Sequence, residues 1–151
     1  MIYIRRAKYE EADHLTQIAL AAKRHWGYPE RWMKLWTPQL TFSAEYFEEN
    51  ESWAAEVDQE PVAFYTLLEK DGSAWIENLW VAPEWFGKGI GRTLFLHAVE
   101  QARQRGYGTL RLEADPNARG FYEKMGMYQI GERRSDVEGR PRSLPVMEME
   151  L

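Results

Sequence analysis

Cysteine is absent from this chain, which excludes disulfide frameworks, thiolate metal sites and a cysteine nucleophile. No apolar run approaches the roughly 20 residues that cross a bilayer as a helix. The opening Met1 to Arg6 has the pattern of neither a signal peptide nor a transit sequence. A cytoplasmic protein with no membrane partner is the expectation. Basic tracts are lacking as well, and the formal net charge is -5, so a nucleic-acid partner is not expected and an anionic lipid surface would repel the chain. Internal repeats and low-complexity segments are missing. What is left, 151 residues, suits a single domain over 1–151 that buries about two thirds of its unfolded surface without metal or crosslinks.

The most informative stretch is 75–92, Trp-Ile-Glu-Asn-Leu-Trp-Val-Ala-Pro-Glu-Trp-Phe-Gly-Lys-Gly-Ile-Gly-Arg. An apolar, aromatic and β-branched run reads as a strand up to Pro83. Gly87, Gly89 and Gly91 follow, and Ile90, Leu94, Ala98 and Ala102 then recur at helical spacing up to a stop at Gly106. Strand, glycine loop and helix make an anion site: glycine lets backbone approach a ligand, and first-turn amides point at it from the positive end of the helix dipole. The segment 86–105 is locally basic, with Lys88, Arg92, Arg103 and Arg105 against Glu100. That fits an anionic cofactor, although Arg103 and Arg105 read first as a solvated helix face. Two familiar phosphate loops fail on spacing. The dinucleotide fingerprint needs its third glycine three residues after the second, and a Walker loop needs Ser or Thr after its lysine, where Gly89 stands.

Around that stretch the chain alternates between element types. Ile2 and Ile4 mark a short strand, and Ala12, Leu15, Ile18, Ala19 and Ala22 an amphipathic helix over 10–24. His25, Trp26, Gly27, Tyr28 and Pro29 precede a second helix over 29–36 with Pro29 in its first turn, and Ser43 caps a third running to Asn50. Strands over 53–57, 62–68 and 74–81, joined by turns at Asp58 to Pro61 and at Asp71-Gly72, form an antiparallel meander. A strand at 109–113 after the 90–105 helix implies a parallel crossover. Asp115-Pro116 then starts a helix through Met125, which Gly126 ends. Strands over 127–133 and 143–151 close the chain, joined by a mobile polar segment over 135–142. The aromatics between 25 and 36 form either a satellite core or the wall of a substrate pocket.

The segment Gly87-Lys88-Gly89-Ile90-Gly91-Arg92 resembles the pyrophosphate loop of the GNAT superfamily of acyl-CoA-dependent N-acetyltransferases. Gly89 and Gly91 match, and Phe86 stands where that family has Gln or Arg. Asp115 to Met127 is similar to the family's second signature: Ala118, Phe121, Tyr122 and Gly126 are in register, Asp115 replaces the usual Asn with Asn117 two residues on, and Met127 replaces an aromatic. The resemblance spans essentially 1–151. It implies an α/β (α+β) fold, a central mixed and mostly antiparallel sheet of about seven strands with helices on both sides. It also implies transfer of an acetyl group from acetyl-CoA, without metal, to a primary amine on a small molecule or a protein, within a ternary complex. The resemblance admits a homodimer.

It further assigns cofactor contacts to Leu79, Trp80 and Val81, to Gly87 through Arg92, and to Asp115 or Asn117, and an acceptor site to the region of His25, Trp26, Tyr28 and Trp32. Tyr122 becomes the phenol beside the departing thiolate. The amine must be neutral to attack, so a base is needed. Glu77, on a strand face shared with Leu79 and Val81, is expected to have its carboxylate desolvated there. Glu113, at the end of the neighbouring strand, competes with it, and a water chain without a dedicated carboxylate is the third choice. A noncatalytic acyl-CoA-binding module and a nucleotide-binding domain are the rival functions.

Overall fold

The computed structural model describes all 151 residues. Seven strands form one sheet: β1 Tyr3–Arg6, β2 Glu51–Val57, β3 Glu60–Lys70, β4 Ser73–Val81, β5 Thr109–Glu113, β6 Tyr128–Val137 and β7 Arg140–Glu150, in the order β1-β2-β3-β4-β5-β7-β6. The helices are α1 Ala12–His25, α2 Glu30–Trp36, α3 Ala44–Glu49, α4 Ile90–Gln104 and α5 Arg119–Lys124. The mixed, mostly antiparallel sheet expected from the sequence is present, and β4 and β5 form its parallel pair. None of the helices is long and apolar enough to cross a membrane.

Two compact units divide the chain, Met1–Leu67 with Asn78–Ala98, and Leu68–Glu77 with Val99–Leu151. In the first, β2 and β3 pair through Trp53↔Tyr65 and Ala54↔Phe64, and β3 is buried almost along its length because both its faces are covered. Leu15, Ile18, Ala19 and Ala22 turn the apolar stripe of α1 inward, and Ile90, Leu94, Phe95 and Ala98 do the same for the start of α4. Ser43 accepts a hydrogen bond from the Tyr46 amide at 3.1 Å and so caps α3 as its sequence suggests. Pro29 sits one place earlier than expected, as the residue before α2.

In the second unit β5 pairs antiparallel with β7 from Thr109↔Glu150 to Glu113↔Val146. Two expectations fail here. The segment 135–142 is no mobile link: β6 and β7 run on to Val137 and Arg140 and meet in a two-residue turn, Glu138-Gly139, at φ of +53° and +75°. Both residues have the left-handed geometry that suits the twist of a hairpin. The polar composition misleads because β6 is an edge strand exposed on both faces almost throughout, so it lacks an apolar alternation. The helix expected from Asp115 to Met125 is also split, into a 3-10 turn at Pro116–Ala118 and α5. Gly126, at φ +102°, ends it as expected.

Candidate active site

The glycine loop is built as the spacing suggests. A 3-10 turn at Pro83–Trp85 follows β4, with the Ala82 amide donating to the Val62 carbonyl at 2.8 Å. Gly87 and Gly89 adopt φ of +74° and +83°. A Cβ on either would meet nothing within 4 Å, so what demands glycine is the backbone conformation and not crowding. Ile90 opens α4 and is buried, and no acidic residue lies in the first turn. The first-turn amides have no partner earlier in the helix, and Lys88 and Arg92 add positive charge, so this chain's own residues fit a pyrophosphate. The Lys88 ammonium lies 4.8 Å from the centre of the Trp85 ring, a cation–π contact that holds it near the loop.

Phe86, the departure from the expected polar residue, has a structural role. Its ring meets that of His25 edge-on, centroids 4.8 Å apart at 87°. His25, the last residue of α1, is exposed and also touches Trp26 at 6.2 Å. The loop's first side chain is thus spent on packing, which leaves the loop amides and the charges of Lys88 and Arg92 as the groups suited to an anion.

Upstream, the parallel register of β4 with β5 contains Ala74 and Trp75 only. Leu79, Trp80 and Val81 stand outside that ladder. Glu77 overturns one expectation. It is exposed, whereas Ile76 before it is buried at 4 %, so the desolvation expected of its carboxylate is lacking. The flanking apolar residues do not cover it, because alternation turns Ile76 to the covered face. Glu113 is exposed as well and accepts a hydrogen bond from Arg133 Nε at 2.7 Å.

Tyr122 is buried at 7 %, and its ring meets that of Phe121 edge-on at 5.1 Å. Burial, and secondarily the negative charge of Asp115, push the phenol well above its ordinary range. It is therefore protonated at any physiological pH and able to donate. Asp115 caps the 3-10 turn: its Oδ1 accepts from the Asn117 amide at 2.9 Å and from the Asn117 side chain at 3.0 Å, and its Oδ2 accepts from Arg142 at 3.1 Å.

The aromatic region resolves into parts. Tyr28 stacks on Trp32 at 6.0 Å, and both meet Trp36 edge-on, at 4.8 and 5.9 Å. The ammonium of Lys23, a residue only 8 % exposed, lies 5.0 Å from the Tyr28 ring and 4.5 Å from the Trp36 ring. Two of the three rings thus contact a cation belonging to the chain itself. Trp26 is 40 % exposed and Trp32 half-buried.

Sequence reasoning missed a polar chain beside Glu77: Trp80 Nε1 donates to Asn78 Oδ1 at 3.0 Å, and Asn78 Nδ2 donates to the Tyr46 hydroxyl at 2.9 Å. Period-two spacing could have paired Asn78 with Trp80 on one strand face. Nothing local signalled Tyr46, 32 residues away.

A strand, a left-handed glycine loop and a helix N-terminus, in a seven-stranded mixed sheet, make a backbone that suits a phosphate-bearing ligand. Comparison with known proteins is specific. The model of the acetyltransferase (GNAT) family matches residues 13–127. The peptidyl-lysine N-acetyltransferase YjaB of Salmonella typhimurium is 32% identical over 146 residues, covering 95% of this chain and 95% of that protein. The 5-NmdU N-acetyltransferase of Pseudomonas phage PaMx11 is 29% identical over 136 residues, covering 87% and 91%. In fold, the PaiA N-acetyltransferase of Thermoplasma acidophilum, solved with coenzyme A, superposes with a TM-score of 0.77 at 24% identity, over 100% of this chain and 99% of that one. The chain belongs to the GNAT acetyltransferase family, whose members are acyl-CoA-dependent N-acyltransferases.

Proposed function

We propose that this enzyme moves an acetyl group from acetyl-CoA to a primary amine, on a small molecule or a protein, by direct attack in a ternary complex. The observation that carries the reading is the Gly87-to-Arg92 loop, with Gly87 and Gly89 left-handed where α4 begins. Its amides receive the pyrophosphate, with Lys88 and Arg92 adding charge. The main chain of Leu79, Trp80 and Val81 takes the pantetheine arm. Asn117, more exposed than Asp115, is the better placed of the two to meet it.

The donor's thioester supplies an activated acyl carbon. The neutral amine nitrogen bonds to that carbon as the carbon–sulfur bond breaks, its electron pair going to sulfur. The nitrogen gives up a proton, and Tyr122 gives one to the sulfur, so the products are an amide and the free thiol. Glu77, open to solvent on β4, receives the amine's proton through water. The Arg133 contact makes Glu113 the weaker choice. The acceptor carries positive charge before it reacts, which the net charge of -5 favours.

Two relatives bear names that point to different acceptors, a peptidyl lysine and 5-NmdU, so family membership does not choose one. A screen of amines, peptides and aminoglycosides with acetyl-CoA, read as release of free CoA, finds the acceptor class. Tyr122→Phe is expected to slow turnover by about a hundredfold, the lower range for a positioned proton donor, with KM for acetyl-CoA little changed. An unaltered rate would remove Tyr122 from the chemistry.

A further inference from the structure

We infer that His25 is a contact for the donor: its imidazole N–H meets the coenzyme's pyrophosphate on the side of the loop where Phe86 offers no polar group. The inference rests on the Gly87-to-Arg92 loop holding that pyrophosphate.

It begins at the end of α1, whose last turn carries Lys23, Arg24 and His25. Two of these are committed elsewhere. The Lys23 ammonium lies against the Tyr28 and Trp36 rings, and Arg24 Nε donates to Glu30 at 3.0 Å. His25 is exposed, and its side-chain contacts within the chain are to the Trp26 and Phe86 rings alone, so its ring nitrogens are open to a ligand.

Backbone hydrogen bonds fix the two residues that bring the imidazole to the loop. Gly27, at φ +83°, closes α1 with its amide on the Arg24 carbonyl at 3.0 Å. The Phe86 amide donates to the Pro83 carbonyl at 3.1 Å, at the end of the 3-10 turn that leads into Gly87. With the two rings edge-on at 4.8 Å, the polar group missing at 86 is supplied one ring further out, by α1. The charges agree. Between 83 and 92 Glu84 is the single acid, and neither Lys88 nor Arg92 is in an ion pair, so an oxyanion there meets two cations and an imidazole donor. A place at the acceptor wall, suggested in the sequence by neighbouring Trp26 and Tyr28, gives way to one beside the donor.

The test is calorimetric titration of the full chain with CoA, which needs no acceptor, with thermal midpoints to check folding. His25→Phe keeps an aromatic ring against Phe86 and removes the nitrogens. Its Kd for CoA is expected to rise about tenfold, the lower range for a hydrogen bond to a charged group. The same rise is expected with dephospho-CoA, which keeps the pyrophosphate and lacks the 3′-phosphate. Adding Phe86→Arg to His25→Phe is expected to return the Kd to within about threefold of the parent, because a cation then stands at the loop itself. A double variant as weak as His25→Phe, or a loss seen with CoA and absent with dephospho-CoA, overturns the inference. If the parent does not bind CoA, or Lys88→Gln with Arg92→Gln does not weaken binding, the loop reading beneath it fails. If that pair weakens binding and His25→Phe binds like the parent, the His25 inference alone fails.

Discussion

At the scale of single residues, the side chains proposed for the chemistry differ chiefly in what surrounds them. Tyr122 is enclosed and its proton is held tightly, whereas Glu77 is open to solvent. The two therefore suit different halves of the proton traffic, a guarded donor and an acceptor in exchange with water. Glu77→Gln is expected to lower kcat/KM about tenfold, a modest loss because water can replace an exposed base. Glu113→Gln should leave kcat/KM within about twofold of the parent. A loss that follows Glu113 and not Glu77 would exchange their roles. Glu77 was legible in the sequence as a carboxylate near the loop, but its exposure was not, because hydropathy alternation does not say which strand face is covered.

At the scale of elements, α4 joins the loop to the interior of the first unit. Gly89→Ala forces a side chain into φ +83° at a cost of about 1 kcal/mol, with no clash to add to it. A rise of severalfold in KM for acetyl-CoA is the expected result, with kcat nearly kept. Farther along α4, His97 Nδ1 shares a 2.6 Å hydrogen bond with the hydroxyl of Tyr65, whose residue is fully buried, and its ring lies 4.7 Å from that of Trp53. Burial lowers the His97 pKa, and Glu51 opposes that shift in part. The native state therefore resists a proton that the unfolded chain takes up at about pH 6.5. Stability from this site is intact above that pH and falls as acid drives the unfolded histidine to protonate, levelling off below the native value. Thermal melts should show the slope setting in as pH falls below about 6.5, and His97→Asn, which does not titrate there, should flatten it. The sequence marked α4 correctly by its apolar stripe. It did not mark His97, since the contact with Tyr65 spans 32 residues.

At the scale of the whole molecule, the balance of charge opposes an anionic donor, whereas the proposed loop site carries the opposite sign. A net charge of -5 repels an anionic cofactor at long range, and in the proposed site Lys88 and Arg92 would recruit it locally. Salt screens both over about 8 Å at physiological ionic strength, and contacts closer than that are screened least. KM for acetyl-CoA should consequently respond weakly to added sodium chloride in the parent, and Lys88→Gln with Arg92→Gln should raise it by about tenfold at low salt, the gap narrowing as salt rises. A parent KM that climbs steeply with salt would show that distant charges dominate.

Local order was largely written in the sequence. The apolar periods of α1 and α4, the Ser43 cap, the Asp71-Gly72 turn and the left-handed glycines of the loop are all decided within a few neighbouring residues, by backbone sterics and hydrogen bonds that act at short range. The tertiary structure alone decided the rest. It showed that a polar stretch becomes β6 because β7 supplies its hydrogen bonds, that Glu77 faces water, that Phe86 packs on His25, and that Arg142 closes on Asp115. Each depends on a partner distant in the chain, and burial and charge pairing take their values only after folding brings that partner close.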